Sequence, residues 1–135
     1  MAVFVLTDAS VTVNSVDLSD YVTSVTLNYE KDSVEVTAMG ATGHKFTGGL
    51  QNISLDVTFN QDFAASQVAA TLDALVGTTT TVVVKPTSAA VSATNPSYTI
   101  SDMYVGSTQP VAGSVGDLAS MSISMTGGTL VKATS

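Results

Sequence analysis

Few side chains in this sequence combine the types and spacing that catalysis requires. The single histidine, His44, stands beside Lys45 in a glycine-rich stretch. A Ser–His–Asp triad needs an imidazole that a buried carboxylate holds in one tautomer, and a mobile loop is a poor place to hold it. The glycine spacing of that stretch matches neither the Walker motif nor the dinucleotide fingerprint. We therefore interpret His44 as a solvated or interface residue.

The acidic residues form two small groups whose spacings argue against a metal site. Asp17 and Asp20 fit an Asx-type turn that starts a strand, and Glu30, Asp32 and Glu35 fit the solvated tip of a hairpin. Neither spacing matches the twelve-residue calcium loop. No nucleophile–base pair or paired carboxylates stand out. We predict that the chain is not an enzyme and uses no metal or cofactor.

The elements that would position these residues are mainly strands, rich in β-branched residues at period two between turn formers. The clearest is residues 52–60, in which Ile53, Leu55, Val57 and Phe59 alternate with polar residues. The other strand-like segments are 3–6, 10–14, 16–18, 21–30, 34–36, 78–85, 98–105, 117–125 and 129–132. Together they predict about eight strands. Residues 30–32 are predicted to form a hairpin turn, and the unbroken Val/Thr run of 78–85 predicts a strand covered on both faces.

One segment changes period. Its apolar residues follow the i, i+4, i+7, i+8 stripe of an amphipathic helix: Val68, Leu72, Leu75 and Val76. Gly77 stands where a C′ glycine belongs. The pattern predicts one α-helix at about residues 63–76, on the flank of a β-sandwich or partly closed β-barrel. We expect a single domain over residues 1–135, with a long glycine-rich loop at 38–50.

Composition indicates self-assembly. The 135 residues carry 4 basic and 11 acidic side chains, a net charge of 4 − 11 = −7, and only 11% are charged, against about 25% in ordinary domains. Four lysines and three prolines protect sheet edges poorly. Copies of the same chain would cover such a surface, although a monomer solubilised by hydroxyl groups remains an alternative. The lack of arginine argues against tight nucleic-acid binding, and the short aliphatic runs argue against a membrane span.

A family resemblance has its motif in residues 16–40 and extends, in the order of the elements, over nearly the whole chain. Residues 16–27 (VDLSDYVTSVTL), followed by residues 32–40 (DSVEVTAMG), resemble the opening of major tail (tail tube) proteins of long-tailed, non-contractile bacteriophages. The later order of an Asp-Phe pair, an alanine-rich helix, a Thr/Val strand and a final strand before Gly127-Gly128 is also similar to that family.

The resemblance implies a virion structural protein, made in the host cytoplasm, that assembles into hexameric rings. Their strands would join into one inner barrel, and the rings would stack into a tube that conducts DNA during ejection without binding it. The implied partners are other copies of the chain and the tape-measure, terminator and distal tail proteins. Capsid decoration, head–tail joining or tail termination stay open as alternatives. An immunoglobulin-like adhesin is a further alternative, although it would be expected to display Tyr, Trp or Arg anchors.

Two sets of site residues follow from the resemblance. The glycine-rich loop would contact the adjacent ring through Met39, Gly40, Gly43, His44, Lys45, Phe46, Gly48 and Gly49. The residues expected to line the lumen are small and polar, on strand faces opposite the core: Ser54, Asp56, Thr58, Ser120, Ser122 and Ser124. A hydroxyl-rich, acidic wall would repel phosphate.

Overall fold

The computed structural model describes residues 5–63, 68–109 and 111–134. Its strands, in chain order, are β1 (Ser10–Val13), β2 (Val16–Asp17), β3 (Val22–Glu35), β4 (Phe46–Asn60), β5 (Thr79–Lys85), β6 (Ser97–Thr108), β7 (Ser120–Thr126) and β8 (Thr129–Ala133). They form one antiparallel sheet in the order β2-β1-β5-β6-β7-β4-β3, and β8 pairs with β6 outside this path. The predicted mainly-β fold of eight strands is confirmed, with a sheet that does not close on itself.

One face of the sheet carries the core. The alternation in residues 52–60 is confirmed, because Ile53, Leu55, Val57 and Phe59 are all buried. The core residues of the other elements are Val11, Val13, Leu18, Val68, Leu72, Val82, Val84, Ile100, Met103, Val105, Met121, Ile123, Met125 and Leu130. A period of two places every second residue on the same face of a strand, so the polar residues between them lie on the outer face.

Strands β7 and β8 follow one another along the same flank of β6. One flank of β6 pairs with β5, whereas the other pairs with β8 through Ser101 and its preceding residues and with β7 from Tyr104 onwards. Between these two parts Asp102 has a φ of 58°. The two-residue break between β7 and β8, Gly127-Gly128, lies opposite this position, and Gly128 approaches the Ser101 carbonyl so closely that a Cβ would overlap it. The absence of a side chain at Gly128 therefore allows this close approach.

The helix is shorter than predicted in the part that the structure describes. Helix α1 spans Val68–Leu72 and continues as a 3-10 turn, Asp73–Leu75; residues 64–67 of the predicted helix lie outside the described residues. Val76 does not belong to the buried stripe, because its backbone is already extended at ψ 128° and its side chain is exposed. Gly77 has a φ of 84°, as expected of a C′ glycine.

The predicted hairpin turn at residues 30–32 is wrong. Strand β3 continues to Glu35 and pairs with β4, whose first residue is Phe46. The connecting loop is therefore residues 36–45, and the predicted loop of 38–50 extended too far. Of the predicted strand 34–36, residues 34 and 35 belong to β3 and Val36 lies in the loop. This ribbon has no buried face to impose a sustained hydrophobic period, so the sequence does not show that its two strands continue through residues 30–35 and 46–51.

Three further strand predictions need correction. In β5, Thr80, Val82 and Val84 are buried whereas Thr79 and Thr81 are exposed, so only one face is covered; β-branched residues also suit the exposed face of a strand. Residues 117–119 precede β7 and lie in a loop. Of the predicted strand 3–6, residues 3 and 4 lie outside the described residues, and residues 5 and 6 are exposed and not in a strand.

Candidate assembly interface

The outer face of β3, β4 and β7 is a continuous polar surface, called here the polar face. Register places Asp56 of β4 between Thr26 of β3 and Ser124 of β7. The neighbouring rungs pair Thr58 with Ser122, Asn60 with Ser120, and Ser54 with both Asn28 and Thr126. The two rows that the sequence singled out for the lumen therefore lie side by side on adjacent strands.

Hydrogen bonds link the polar face across its strands. Ser124 Oγ donates to Asp56 Oδ1 at 2.8 Å, and Asn28 Nδ2 donates to Ser54 Oγ at 3.2 Å. These bonds orient the side chains along the sheet surface. The face presents the carboxylates of Asp56 and Glu30, and its described rows on β4 and β7 contain no lysine. Prediction from sequence missed the β3 row, although the alternation of Thr26 and Asn28 with Val25 and Leu27 contained the signal.

Beyond the polar face, β3 and β4 extend as a two-stranded ribbon, called here the arm (residues 30–51). The last residue of β7 lies beside Ser54, so further out β3 and β4 pair only with each other, from Lys31 with Gln51 to Glu35 with Phe46. Every residue from 30 to 50 is exposed. An isolated two-stranded hairpin is at best marginally stable in water, and the arm is anchored by the continuation of β3 and β4 into the sheet.

A hydrogen-bond cluster holds the neck of the arm, where the loop begins and ends. His44 Nδ1 lies 2.6 Å from Glu35 Oε2, and the Thr37 hydroxyl donates to the same oxygen at 3.1 Å. The Lys45 amide donates to Thr37 Oγ1 at 2.8 Å, and the Val36 amide donates to the Lys45 carbonyl at 2.8 Å. The structure thus gives His44 a hydrogen-bonding role at the neck while leaving it exposed.

The residues predicted for inter-ring contact divide between the loop and the strand. Met39, Gly40, Gly43, His44 and Lys45 lie in the loop, whereas Phe46, Gly48 and Gly49 lie in β4. The Met39 side chain is fully exposed and that of Phe46 is 60% exposed. Gly40 has a φ of 92°, a backbone conformation that disfavours other residues.

Strand β3 is also a long sheet edge. It ends the strand order, so among the described residues none pairs with the outer side of this 14-residue strand. A cleft of about 460 Å³ lies between this edge and the other half of the sheet, lined on one side by Val25 and Leu27 and on the other by Tyr98 and Leu130. A long unpaired edge beside apolar side chains is a template for another strand.

Three hydrogen bonds fix the segments that lead into β3. The Ser19 hydroxyl and amide both donate to the Asp17 carboxylate and lower its pKa. A hydrogen bond with Asp62 raises the pKa of the Tyr21 phenol, because the neighbouring carboxylate disfavours loss of the proton. The predicted turn at Asp17 is therefore present, with Ser19 as the residue that it binds.

Neither a metal cluster nor a spanning helix is found in the described part of the chain. Residues 5–63, 68–109 and 111–134 contain no group of three His, Cys, Asp or Glu side chains placed to hold a metal ion. Within the same residues, no helix has the length and hydropathy to cross a membrane.

Three solved structures share this architecture. A chain in the SPP1 tail tube has a TM-score of 0.70 at 13% identity, over 95% of this chain and 77% of that chain. The chain has the tail tube fold. A chain in the tail of an empty gene transfer agent particle, computed with helical refinement and C6 symmetry, has a TM-score of 0.63 at 16% identity over 82% of this chain and 81% of that chain. A chain in the sheath/tube terminator of PVC, an extracellular contractile injection system, has a TM-score of 0.72 at 11% identity, over 98% and 97% of the two chains.

The tail tube fold is visible here in structure and not in sequence similarity. No protein-family model matches the sequence, and no curated protein matches it either. The resemblance carried by residues 16–27 and 32–40 is confirmed at the level of the fold. Within this tail tube fold, the polar face, the arm and the β3 edge are three of the exposed surfaces that the core does not use.

Proposed function

We propose that this chain is a virion structural protein, the tail tube subunit of a phage-like particle, that works by self-association into stacked six-membered rings. The observation that carries the proposal is the tail tube fold shared over 95% of the chain with the SPP1 structure. The C6 symmetry of the gene transfer agent tail supports the ring size. A structural role needs no active site.

The β3 edge supports association within a ring. Residues 22–29 of this strand contain no charged residue and no proline, and its four charged residues all lie in the arm. One register irregularity, between Val22 and Ser24, falls in this uncharged part, whereas natural edges are commonly protected by charges and prolines as well as bulges. In a ring, β3 of one subunit would pair with a neighbouring subunit, and the cleft beside Val25 and Leu27 would be covered at the same time. The low charged fraction of 11% fits a surface buried in this way.

The polar face supports a lumen. Some of its hydroxyl groups hydrogen-bond to neighbouring side chains of the same face. Its charged groups are the carboxylates of Asp56 and Glu30. A wall of this kind repels phosphate and offers no guanidinium or ammonium group to bind it. We assign the polar face to the lumen, through which DNA would pass to the host cell without binding.

The proposal places the chain in the virion tail, with other tail proteins as partners at the two ends of the tube. Negative-stain microscopy of the purified chain tests it directly. Tubes or six-fold rings are expected. Monodisperse monomers at high concentration, with no assembly on any change of salt, would overturn the proposal.

Cysteine labelling of assembled tubes tests the lumen assignment, because the chain has no cysteine. Ser124→Cys, on the polar face, should react with a small maleimide and resist a maleimide carried on a large polyethylene glycol. The matched control is Thr81→Cys, on an exposed position of β5, which should react with both reagents. Equal reaction of Ser124→Cys with the large reagent would place the polar face outside the tube.

A second candidate function is termination of a tube. It is favoured by the match to the sheath/tube terminator, which extends over 98% of this chain. A terminator would form one ring that caps a tube and would not polymerise. The same micrographs separate the two functions, because single rings at every concentration favour the terminator and tubes favour the tube subunit.

A further inference from the structure

The two ends of the β3–β4–β7 ladder carry different exposed structures. One end continues into the arm. At the other end, where β3 begins and β4 ends, lies the connection from β6 to β7, called here the distal loop (residues 111–119). The Gln61 amide, just after β4, donates to the Ala119 carbonyl at 3.1 Å. Because β4 is 15 residues long, the ends are roughly 45 Å apart at about 3.3 Å per residue.

The distal loop is ordered by the sheet and yet exposes large apolar side chains. The Ser120 amide donates to the Ala112 carbonyl at 3.2 Å, and the Asp117 amide donates to the Ser114 carbonyl at 3.0 Å. The second bond closes a turn that carries Val115, which is fully exposed. Val111 and Leu118 are also exposed, at 85% and 73%. Large apolar side chains held out to solvent by a defined backbone mark a contact surface.

The arm carries the complementary apolar and charged groups. Met39 is fully exposed and Leu50 is 80% exposed. The loop of the arm, residues 36–45, contains His44 and Lys45 and no acidic residue, whereas the paired strands behind it carry Glu30, Lys31, Asp32 and Glu35. The distal end has the opposite character, because Asp20, Asp62 and Asp117 are acidic and residues 18–24, 58–63 and 111–122 contain no lysine.

Complementary surfaces at opposite ends of one chain favour a heterologous, head-to-tail contact. An isologous contact would place the loop residues 36–45 against their own copy and the distal loop against its own copy, which brings Lys45 near Lys45 and Asp117 near Asp117. A head-to-tail contact along the strand direction does not close on itself and therefore continues from copy to copy.

We propose that the distal loop of one copy is the docking site for the arm of the next copy. Met39 at the loop tip packs on Val115 and its apolar neighbours, and Lys45 lies near Asp117. This inference rests on the proposed tube and names the surface that receives the arm. It explains why the apolar residues of the distal loop face solvent in the single chain.

Disulfide trapping tests this contact in a chain without native cysteines. The double variant Met39→Cys/Val115→Cys should give a ladder of disulfide-linked multimers after mild oxidation of the assemblies. Each single variant should stop at dimers. The matched control is Met39→Cys/Val131→Cys. Val131 is 59% exposed on β8, and β8 pairs with the first residues of β6, whereas the distal loop follows the last residues of β6. The control should form no ladder.

The outcomes separate the docking contact from the tube itself. Assemblies in micrographs with no ladder from Met39→Cys/Val115→Cys would overturn the docking contact and leave the tube standing. An equal ladder from the control pair would also overturn the contact. Absence of both assemblies and ladders would overturn both proposals.

A charge exchange provides an independent test. Lys45→Glu and Asp117→Lys, each alone, should raise the protein concentration needed for assembly by about two- to five-fold for each contact, the range of an exposed ion pair. The combination of both should restore the wild-type concentration at low salt. Additive loss in the combined variant would contradict the proposed neighbourhood of these two residues.

Discussion

Gly127 and Gly128, between β7 and β8, have similar backbone conformations but different amounts of space for a side chain. Substitution of each by alanine therefore separates the effect of backbone strain from that of steric overlap. Gly127 has a φ of 83° and Gly128 a φ of 87°. Alanine at either position should cost about 1–2 kcal/mol of folding free energy, because a side chain disfavours left-handed backbone. A Cβ at Gly127 would meet nothing within 4 Å, whereas a Cβ at Gly128 would overlap the Ser101 carbonyl oxygen and lie 3.2 Å from Asp102 backbone atoms.

Relief of that overlap requires the Gly127-Gly128 segment to move away from β6. The first residues of β8 would move with it, and Leu130, which is 7% exposed, would lose part of its packing against Ile100. Burial of a leucine side chain contributes about 1.5–3 kcal/mol. We therefore expect Gly127→Ala to lower the free energy of unfolding by about 1–2 kcal/mol, and Gly128→Ala to lower it by a larger amount, up to about 5 kcal/mol.

Urea denaturation measures both values on the same scale, provided that the protein is dilute enough to be monomeric by size-exclusion chromatography. This condition matters because association stabilises the folded state by mass action. Equal losses for the two variants would refute the argument, since they would mean that the close approach to Ser101 costs nothing and that only backbone conformation matters at this turn.

Three further predictions concern the core and the segments that lead into β3. Phe59→Ala should lower the free energy of unfolding by about 3–5 kcal/mol, because Phe59 is fully buried, whereas Phe63→Ala, at a position 65% exposed, should change it by less than about 0.5 kcal/mol in the same urea titration. Asp17→Ala should lower the free energy of unfolding by about 0.5–1.5 kcal/mol near neutral pH, because it removes the acceptor for Ser19. Since the pKa of Asp17 is lowered in the folded state, the difference from wild type should shrink as the pH falls below about 4. A difference that stays constant down to about pH 2 would contradict this prediction. Asp62→Asn should move the Tyr21 pKa down towards its ordinary value, as measured by ultraviolet titration with Tyr21→Phe as the reference. Because the pKa of Tyr21 is raised in the folded state, the stabilisation by this hydrogen bond is present at neutral pH and is lost as the pH rises through that pKa. An unchanged titration curve would contradict the assignment of the hydrogen bond.

The strands that cover the core could be predicted from sequence because a buried face imposes a period. Ile53, Leu55, Val57 and Phe59 alternate with polar residues, and the structure buries all four. The polar rows on β4 and β7 followed from the same alternation. Their adjacency did not, because it depends on the pairing of Asp56 with Ser124, which are separated by 68 residues.

The arm and the distal loop could not be predicted in the same way. Residues 30–35 and 46–51 pair as strands without a core beneath them, so glycines and charges interrupt the hydrophobic pattern and residues 30–32 resemble a turn in the sequence. The sequence shows that the distal loop contains large apolar residues, but only the strand register of the β3–β4–β7 ladder shows that Val115 and Met39 lie at opposite ends of the molecule. Long-range register, which sequence periodicity does not encode, decides both features.

The antiparallel ladder of β3, β4 and β7 has a mechanical consequence. Its hydrogen bonds run perpendicular to the strands, and the arm and the distal loop lie at its two ends. A stack joined through these ends and pulled lengthwise would load many ladder bonds in shear at once, whereas a pull on a sheet edge would open them one after another. In the proposed stack, each subunit would therefore resist lengthwise tension through many ladder hydrogen bonds acting together.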